Sequence, residues 1–134
     1  MIIREMTIED YEEVLPLWKS DKGIHLEEDL DSKEMIEKYL ARNPNLSFVA
    51  CDNSKIIGCC LAGHDGRNAE LHHLVLAPEY QNMGIGRQLY EACVHALAQQ
   101  GMRHIRLFVK EDNFTFQSLA KHWGFKKKGA YCYS

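Results

Sequence analysis

One segment restricts the fold of this chain more than any other. An apolar run, Leu74-Val75-Leu76, passes through Ala77-Pro78-Glu79-Tyr80 into Gln81-Asn82-Met83-Gly84-Ile85-Gly86-Arg87. The spacing predicts a strand over 70–77 closed by Pro78. A helix then runs from Ile85 to Gln100, with Leu89, Cys93, Ala96 and Leu97 at helical spacing and Gly101 as its stop. The first N–H groups of a helix have no internal partner, and the helix dipole adds positive potential there. Gly84 and Gly86 let the backbone approach an anion closely, and Arg87 adds a charged donor in the first turn, so a diphosphate is a natural guest. A Walker A loop would need Gly-Lys-Ser/Thr after the glycines, and a dinucleotide fingerprint would need a third glycine where Leu89 stands. On spacing alone, a glycine-containing helix start without a ligand remains the alternative.

Around this segment the chain alternates in type. Met1–Met6 reads as a strand, and Thr7 with Asp10 resembles a capping box before an apolar stripe of Tyr11, Val14, Leu15, Leu17 and Trp18. After a loop from Gly23 to Leu30, Asp31 and Glu34 are expected to cap a second helix ending near Asn43-Pro44. Leu46–Cys51 and Lys55–Gly63 form a hairpin about Asp52-Asn53-Ser54. Beyond Gly101 come a strand over Arg103–Val109, a helix over Asn113–Trp123 and a last strand over Phe125–Tyr133. The order β-α-α-β-β-β-α-β-α-β implies an α/β fold with mixed strand directions. At 134 residues the expectation is a single domain spanning 1–134.

Composition narrows the setting. No stretch approaches the ~18 apolar residues of a membrane span, and Met1-Ile2-Ile3-Arg4 lacks signal-peptide anatomy, so a cytoplasmic protein without membrane association is expected. Cys51, Cys59, Cys60, Cys93 and Cys132 are odd in number and lack a Cys-x-x-Cys, which argues for free thiols. Residues 1–54 carry 13 acidic and 6 basic side chains, and residues 55–134 carry 6 acidic and 10 basic. That split suits an anionic cofactor on the second half and an amine on the first, although solvated helix faces would also produce it. No basic stripe interleaved with aromatics suggests nucleic acid.

Gln81 to Gly86 matches Gln/Arg-x-x-Gly-x-Gly/Ala at a strand-to-helix junction, and here the chain resembles the GNAT family of N-acetyltransferases over nearly its whole length. Arg42-Asn43-Pro44, Gly63-His64-Asp65-Gly66-Arg67 and His72-His73-Leu74 resemble more narrowly a bacterial subgroup with a Gly-x-Asp-Gly-Arg segment. The resemblance implies a mixed, mostly antiparallel sheet with a splayed strand pair and flanking helices. It also implies acetyl-coenzyme A as co-substrate, with no metal. Leu74 and Leu76 would offer backbone groups to pantetheine, and the amides of Asn82, Met83, Gly84, Ile85, Gly86 and Arg87 would receive the diphosphate beside Gln81. Val75 N–H would polarise the thioester carbonyl, and Asn113 would contact the cofactor near the departing thiol. Asn113 also reads as an N-cap.

Acyl transfer to an amine needs a proton acceptor. Glu70 is the first candidate by resemblance, and period-two geometry sets Glu70, His72, Leu74 and Leu76 on one face if no bulge intervenes. His72 and His73 are further candidates because imidazole titrates near neutrality. Many family members carry a tyrosine where this chain has Ala120, so Tyr131, Tyr133, His122 or water would have to protonate the thiolate. Recognition of a small-molecule or peptide amine would fall to His25 with Glu27, Glu28, Asp29 and Asp31, to His73, and to His64, Asp65 and Arg67, where Arg67 suits a substrate carboxylate. Asp65-Gly66 equally reads as a hairpin turn. Two rivals stand beside the acetyltransferase. One is a non-catalytic acyl-coenzyme A binding module. The other is a metal hydrolase using His64, Asp65, His72 and His73, which adjacent strand residues facing opposite ways would disfavour. The quaternary expectation is a monomer or a homodimer through the carboxy-terminal edge.

Overall fold

The computed structural model describes residues 1–134. Its elements are β1 (Ile2–Glu5), α1 (Tyr11–Ser20), the one-turn α2 (Glu28–Asp31), α3 (Lys33–Arg42), β2 (Phe48–Asp52), β3 (Lys55–His64), β4 (Asn68–Leu76), α4 (Ile85–Gln99), β5 (His104–Leu107) and α5 (Phe114–His122). The five strands form one sheet in the order β1-β2-β3-β4-β5, antiparallel except for the parallel pair β4–β5.

The sheet is covered on both faces, which is why β3 reads as an almost unbroken buried run from Ile56 to Gly63. On one face α4 sets Ile85, Leu89, Cys93 and Leu97 against Ala50, Ile57, Cys60, Ala62, Ala69 and Leu71. On the other, α1 and α3 set Val14, Trp18 and Ile36 against Val49, Ile56, Cys59, Leu61 and Val75. Four cysteines are buried and unpaired, and Cys132 is exposed and unpaired.

Local chemistry fixes the ends. Thr7 N–H donates to Asp10 Oδ2 at 2.9 Å, and Arg4 forks onto both Asp10 oxygens at 2.9 Å each, joining β1 to the start of α1. Ser32, rather than Asp31 or Glu34, caps α3 by accepting from Met35 N–H, because Asp31 is engaged elsewhere. Gly101, at φ +83°, ends α4 while Met102 N–H returns to Leu97 O.

Three features named separately in the sequence form one structural unit. A Cβ on Gly63 would lie 2.6 Å from Tyr39 Oη and 2.8 Å from Asn43 Nδ2, so only glycine lets α3 pack there. Asn43 Oδ1 accepts from His64 N–H at 3.0 Å. Asp65 Oδ1 accepts from Arg67 and Asn68 N–H, and Gly66 takes φ +94°. The Gly63–Arg67 segment is therefore built as a turn and a helix seat.

The carboxy-terminal expectation requires correction. Residues 125–134 form no strand, and β5 is shorter than Arg103–Val109. The last backbone hydrogen bond of the chain is Phe125 N–H to Ala120 O, which closes α5. Lys126-Lys127-Lys128-Gly129 combines repulsion with weak strand propensity, and the alternation of Tyr131 and Tyr133 meets no partner edge.

Candidate active site

The junction of β4 and α4 is held open from several sides. After the Pro78–Tyr80 turn, Gln81 Nε2 donates back to Leu76 O at 3.3 Å, and Tyr80 Oη donates to Asp52 Oδ2 at 2.6 Å. Asn82 (φ +63°) and Gly84 (φ +82°) then turn the chain into α4, whose first backbone bond runs from Gln88 N–H to Gly84 O. None of the N–H groups of residues 82–87 donates to a backbone or side-chain acceptor of the protein. A Cβ on Gly84 would meet nothing within 4 Å, so the space beside Gly84 is clear. Ile85 is buried in the core and Gly86 rests against Leu76, which fixes the loop from beneath. Arg87 Nε donates to Glu91 Oε1 at 2.7 Å, leaving the rest of its guanidinium free beside the loop. The donors, their clearance and the helix dipole together fit a diphosphate.

Beside this cradle the sheet opens. β4 and β5 pair from Asn68↔His104 to Leu71↔Leu107 and no further, so β4 from His72 to Leu76 has an unpaired edge toward β5. The edge of Leu74, Val75 and Leu76 thus borders a slot that leads from the cradle into the sheet. Its mouth is a cleft of about 180 Å³ lined by Ser20, Asp21, Lys22, Leu76, Pro78 and Gln81. Lys22 brings a cation to the cleft that Gln81 also lines, a placement the sequence did not reveal, since nothing local ties that loop to residue 81. Across the slot Asn113 caps α5 by accepting from Phe116 N–H at 3.1 Å, and its Nδ2 lies 2.4 Å from where a Cβ on Gly23 would stand.

A bulge corrects the expected facing of β4. Leu61 pairs with His72 and Cys59 with Val75, so two residues of β4 oppose one of β3, and His73 adopts φ +53°. The parity changes there. Ala69 and Leu71 face α4 before the bulge and Leu74 and Leu76 after it, whereas Val75 turns toward α1. Glu70 and His72 therefore do not share a face with Leu74 and Leu76. The bulge also sets both histidine rings on one side, 6.5 Å apart, so the argument that they must point oppositely fails. No group of three or more His, Cys, Asp or Glu side chains converges to hold a metal ion.

A polar strip occupies this side of the strands. Glu70 Oε1 lies 3.1 Å from Arg106 of β5, and Glu70 Oε2 lies 3.3 Å from His72 Nε2. The His72 ring meets Tyr39 edge-on at 6.2 Å. Burial holds the His72 pKa below its ordinary value, with Glu70 acting in the opposite sense, so the imidazole is neutral at pH 7. His73 Nε2 lies 2.8 Å from Asp31 Oδ1, and its ring packs against Trp18 at 4.9 Å. That contact ties α2 to the bulge. Tyr39 Oη is buried without a partner, and burial raises its pKa.

Other expected site residues lie apart from the slot. His64 contacts Gln100 at 2.9 Å, at the end of α4 remote from the cradle, and its Nδ1 accepts from Gly66 N–H. Asp65 and Arg67 belong to the same turn. His25 sits on an exposed loop, 3.6 Å from Glu27. Tyr131 and Tyr133 are 90% and 92% exposed on the tail. Arg106 was missed because the offset of a parallel strand pair leaves no local trace in sequence.

The mixed sheet thus parts beside an open helix N-terminus. The chain belongs to the acetyltransferase (GNAT) family, whose model matches residues 5–125. It is 32% identical over 113 residues to an acetyltransferase of Photorhabdus laumondii, covering 84% of this chain and 78% of the relative. It superposes on the PaiA N-acetyltransferase of Thermoplasma acidophilum, solved in complex with coenzyme A, with a TM-score of 0.84 and 26% identity, covering 97% and 92% of the two chains. At 20% identity, and for the fold alone, it matches AAC(6')-Iy in complex with the bisubstrate analog CoA-S-monomethyl-acetylneamine, with a TM-score of 0.78 over 99% and 95% of the chains. The protein is an enzyme of the acetyltransferase class.

Proposed function

We propose that this protein is an N-acetyltransferase that moves the acetyl group of acetyl-coenzyme A directly to a primary amine. The observation that carries this reading is the run of unengaged amides at residues 82–87 opening onto the slot between β4 and β5. Those amides, with Arg87 and Lys22, hold the diphosphate, and the free edge of Leu74–Leu76 holds the pantetheine arm. Acetyl-coenzyme A supplies an activated thioester. Val75 N–H, expected from the sequence to polarise the thioester carbonyl, faces β3, where Val75 pairs with Cys59. A backbone N–H on the unpaired edge of β4 takes the role of oxyanion donor instead. His72, neutral at pH 7 and in contact with Glu70, accepts the amine proton directly or through a water. Ala120 provides no acid and Tyr131 and Tyr133 lie in solvent, so water protonates the thiolate in this reading. The Gly63–Arg67 turn fits the bacterial subgroup with a Gly-x-Asp-Gly-Arg segment.

Coenzyme A release measured against a panel of primary amines tests the proposal. Amine-dependent release with a matching N-acetyl product is expected. Tight calorimetric binding of acetyl-coenzyme A with no release dependent on any primary amine would refute direct transfer to a primary amine.

A further inference from the structure

Glu70 and Arg106 stand opposite one another in the parallel register, one rung before β4 and β5 part. The pair therefore sits at the closed end of the slot. Ile105 and Leu107 pack toward α4, so Arg106 and His104 project to the other side, the side of Glu70 and His72. Arg106 is about half exposed and spends only one guanidinium nitrogen, Nη2, on Glu70. The remaining N–H donors have no protein acceptor, and the planar fork suits a second carboxylate without releasing the first.

Of the acidic residues that might attract a simple cationic amine, Asp31, Glu27 and Glu70 are engaged, and only Glu28 and Asp29, exposed on α2, are free. Asp31 Oδ1 contacts His73, and Asp31 Oδ2 accepts from Glu27 N–H at 2.9 Å. Glu27 faces His25, and Glu28 and Asp29 are exposed on α2. Glu70 has both oxygens engaged. Among the groups lining the closed end of the slot, the spare binding capacity is cationic and belongs to Arg106.

We infer that Arg106 is a specificity-determining residue and that the acceptor is an amino acid, with its carboxylate on Arg106 and its amine beside His72. This inference rests on the transferase reading above and names the substrate class of the same site. Arg67, the earlier candidate for a substrate carboxylate, lies at the hairpin and does not join this group.

The test is acetyl transfer to matched pairs, each a free amino acid and its methylamide, at saturating acetyl-coenzyme A. The wild type is expected to prefer the free acid by about tenfold or more in kcat/KM, chiefly through KM, as for one well-formed charge-assisted pair. Arg106→Gln should bring the ratio close to one, and Arg106→Lys should retain part of it. Reading the ratio removes any change in kcat from loosening Glu70, which affects both members of a pair. Equal use of acids and amides by the wild type, or an unchanged ratio in Arg106→Gln, overturns the inference while leaving the transferase intact. Absence of transfer to every amine overturns both.

Discussion

Replacing Gly84 gives the most direct trial of the amide cradle. Gly84 adopts φ +82° and ψ 3°, and an added Cβ meets open space. A residue other than glycine there costs about 1 kcal/mol of backbone strain, least for asparagine. Gly84→Asn and Gly84→Asp share size and nearly the same strain, so their difference isolates one negative charge. Two unit charges 4 Å apart interact by ~1 kcal/mol in water and by ~4 kcal/mol at an effective dielectric of 20. The loop is solvent-facing, which favours the lower end, and a diphosphate carries at least two charges. A penalty of about 2 kcal/mol follows, or roughly thirtyfold in Kd for coenzyme A. Calorimetry at low and high salt reads it, and the gap between the variants should narrow as salt rises. Equal affinities for Gly84→Asn and Gly84→Asp at low salt would refute the cradle, because no phosphate would then lie before these amides.

Three further outcomes are expected. Glu70→Gln should lower kcat by about tenfold to a hundredfold with cofactor affinity unchanged by calorimetry, and a wild-type rate in that variant would remove Glu70 from proton transfer. Burial lowers the His72 pKa from 6.5, so the acceptor form persists below that pH and is lost only on further acidification; the acid limb of kcat/KM should therefore fall below pH 6.5, and a limb above it would count against His72. Gly58→Val should destabilise by about 1–3 kcal/mol in urea unfolding, since its Cβ would lie 2.6 Å from Leu76 Cδ2 and 3.1 Å from Val75 O, and an unchanged midpoint would show that the sheet yields there.

What was legible in the sequence is what local chemistry dictates. The helix from Ile85, its stop at Gly101 and the glycine-bearing turn before it each depend on neighbours within one or two turns, and the structure places all three. What escaped depends on pairing between distant segments. The partnership of Glu70 with Arg106 needs the offset of a parallel strand pair, and the position of Lys22 near Gln81 needs the path of a loop after α1. The bulge at His73 was open in principle but unreadable in position, because His72-His73-Leu74-Val75 fits a regular strand equally well. The last strand was over-read, since the alternation of Tyr131 and Tyr133 is real but a strand exists only against a partner edge.

The extra residue at His73 has a consequence for how this chain tolerates changes in length. Everything on β4 before it is numbered out of phase with everything after it. A one-residue deletion between His72 and Val75 would restore regular alternation with both halves keeping their faces, so Leu74 and Leu76 would stay on α4 and Glu70 on the opposite side. What it would remove is the kink itself and, if His73 were the residue lost, the tie to Asp31. A one-residue deletion elsewhere in β4 would instead turn one part of the strand over. Shortening of this strand among homologous chains should therefore gather at the kink, while the exposed Asp65–Arg67 turn absorbs insertions.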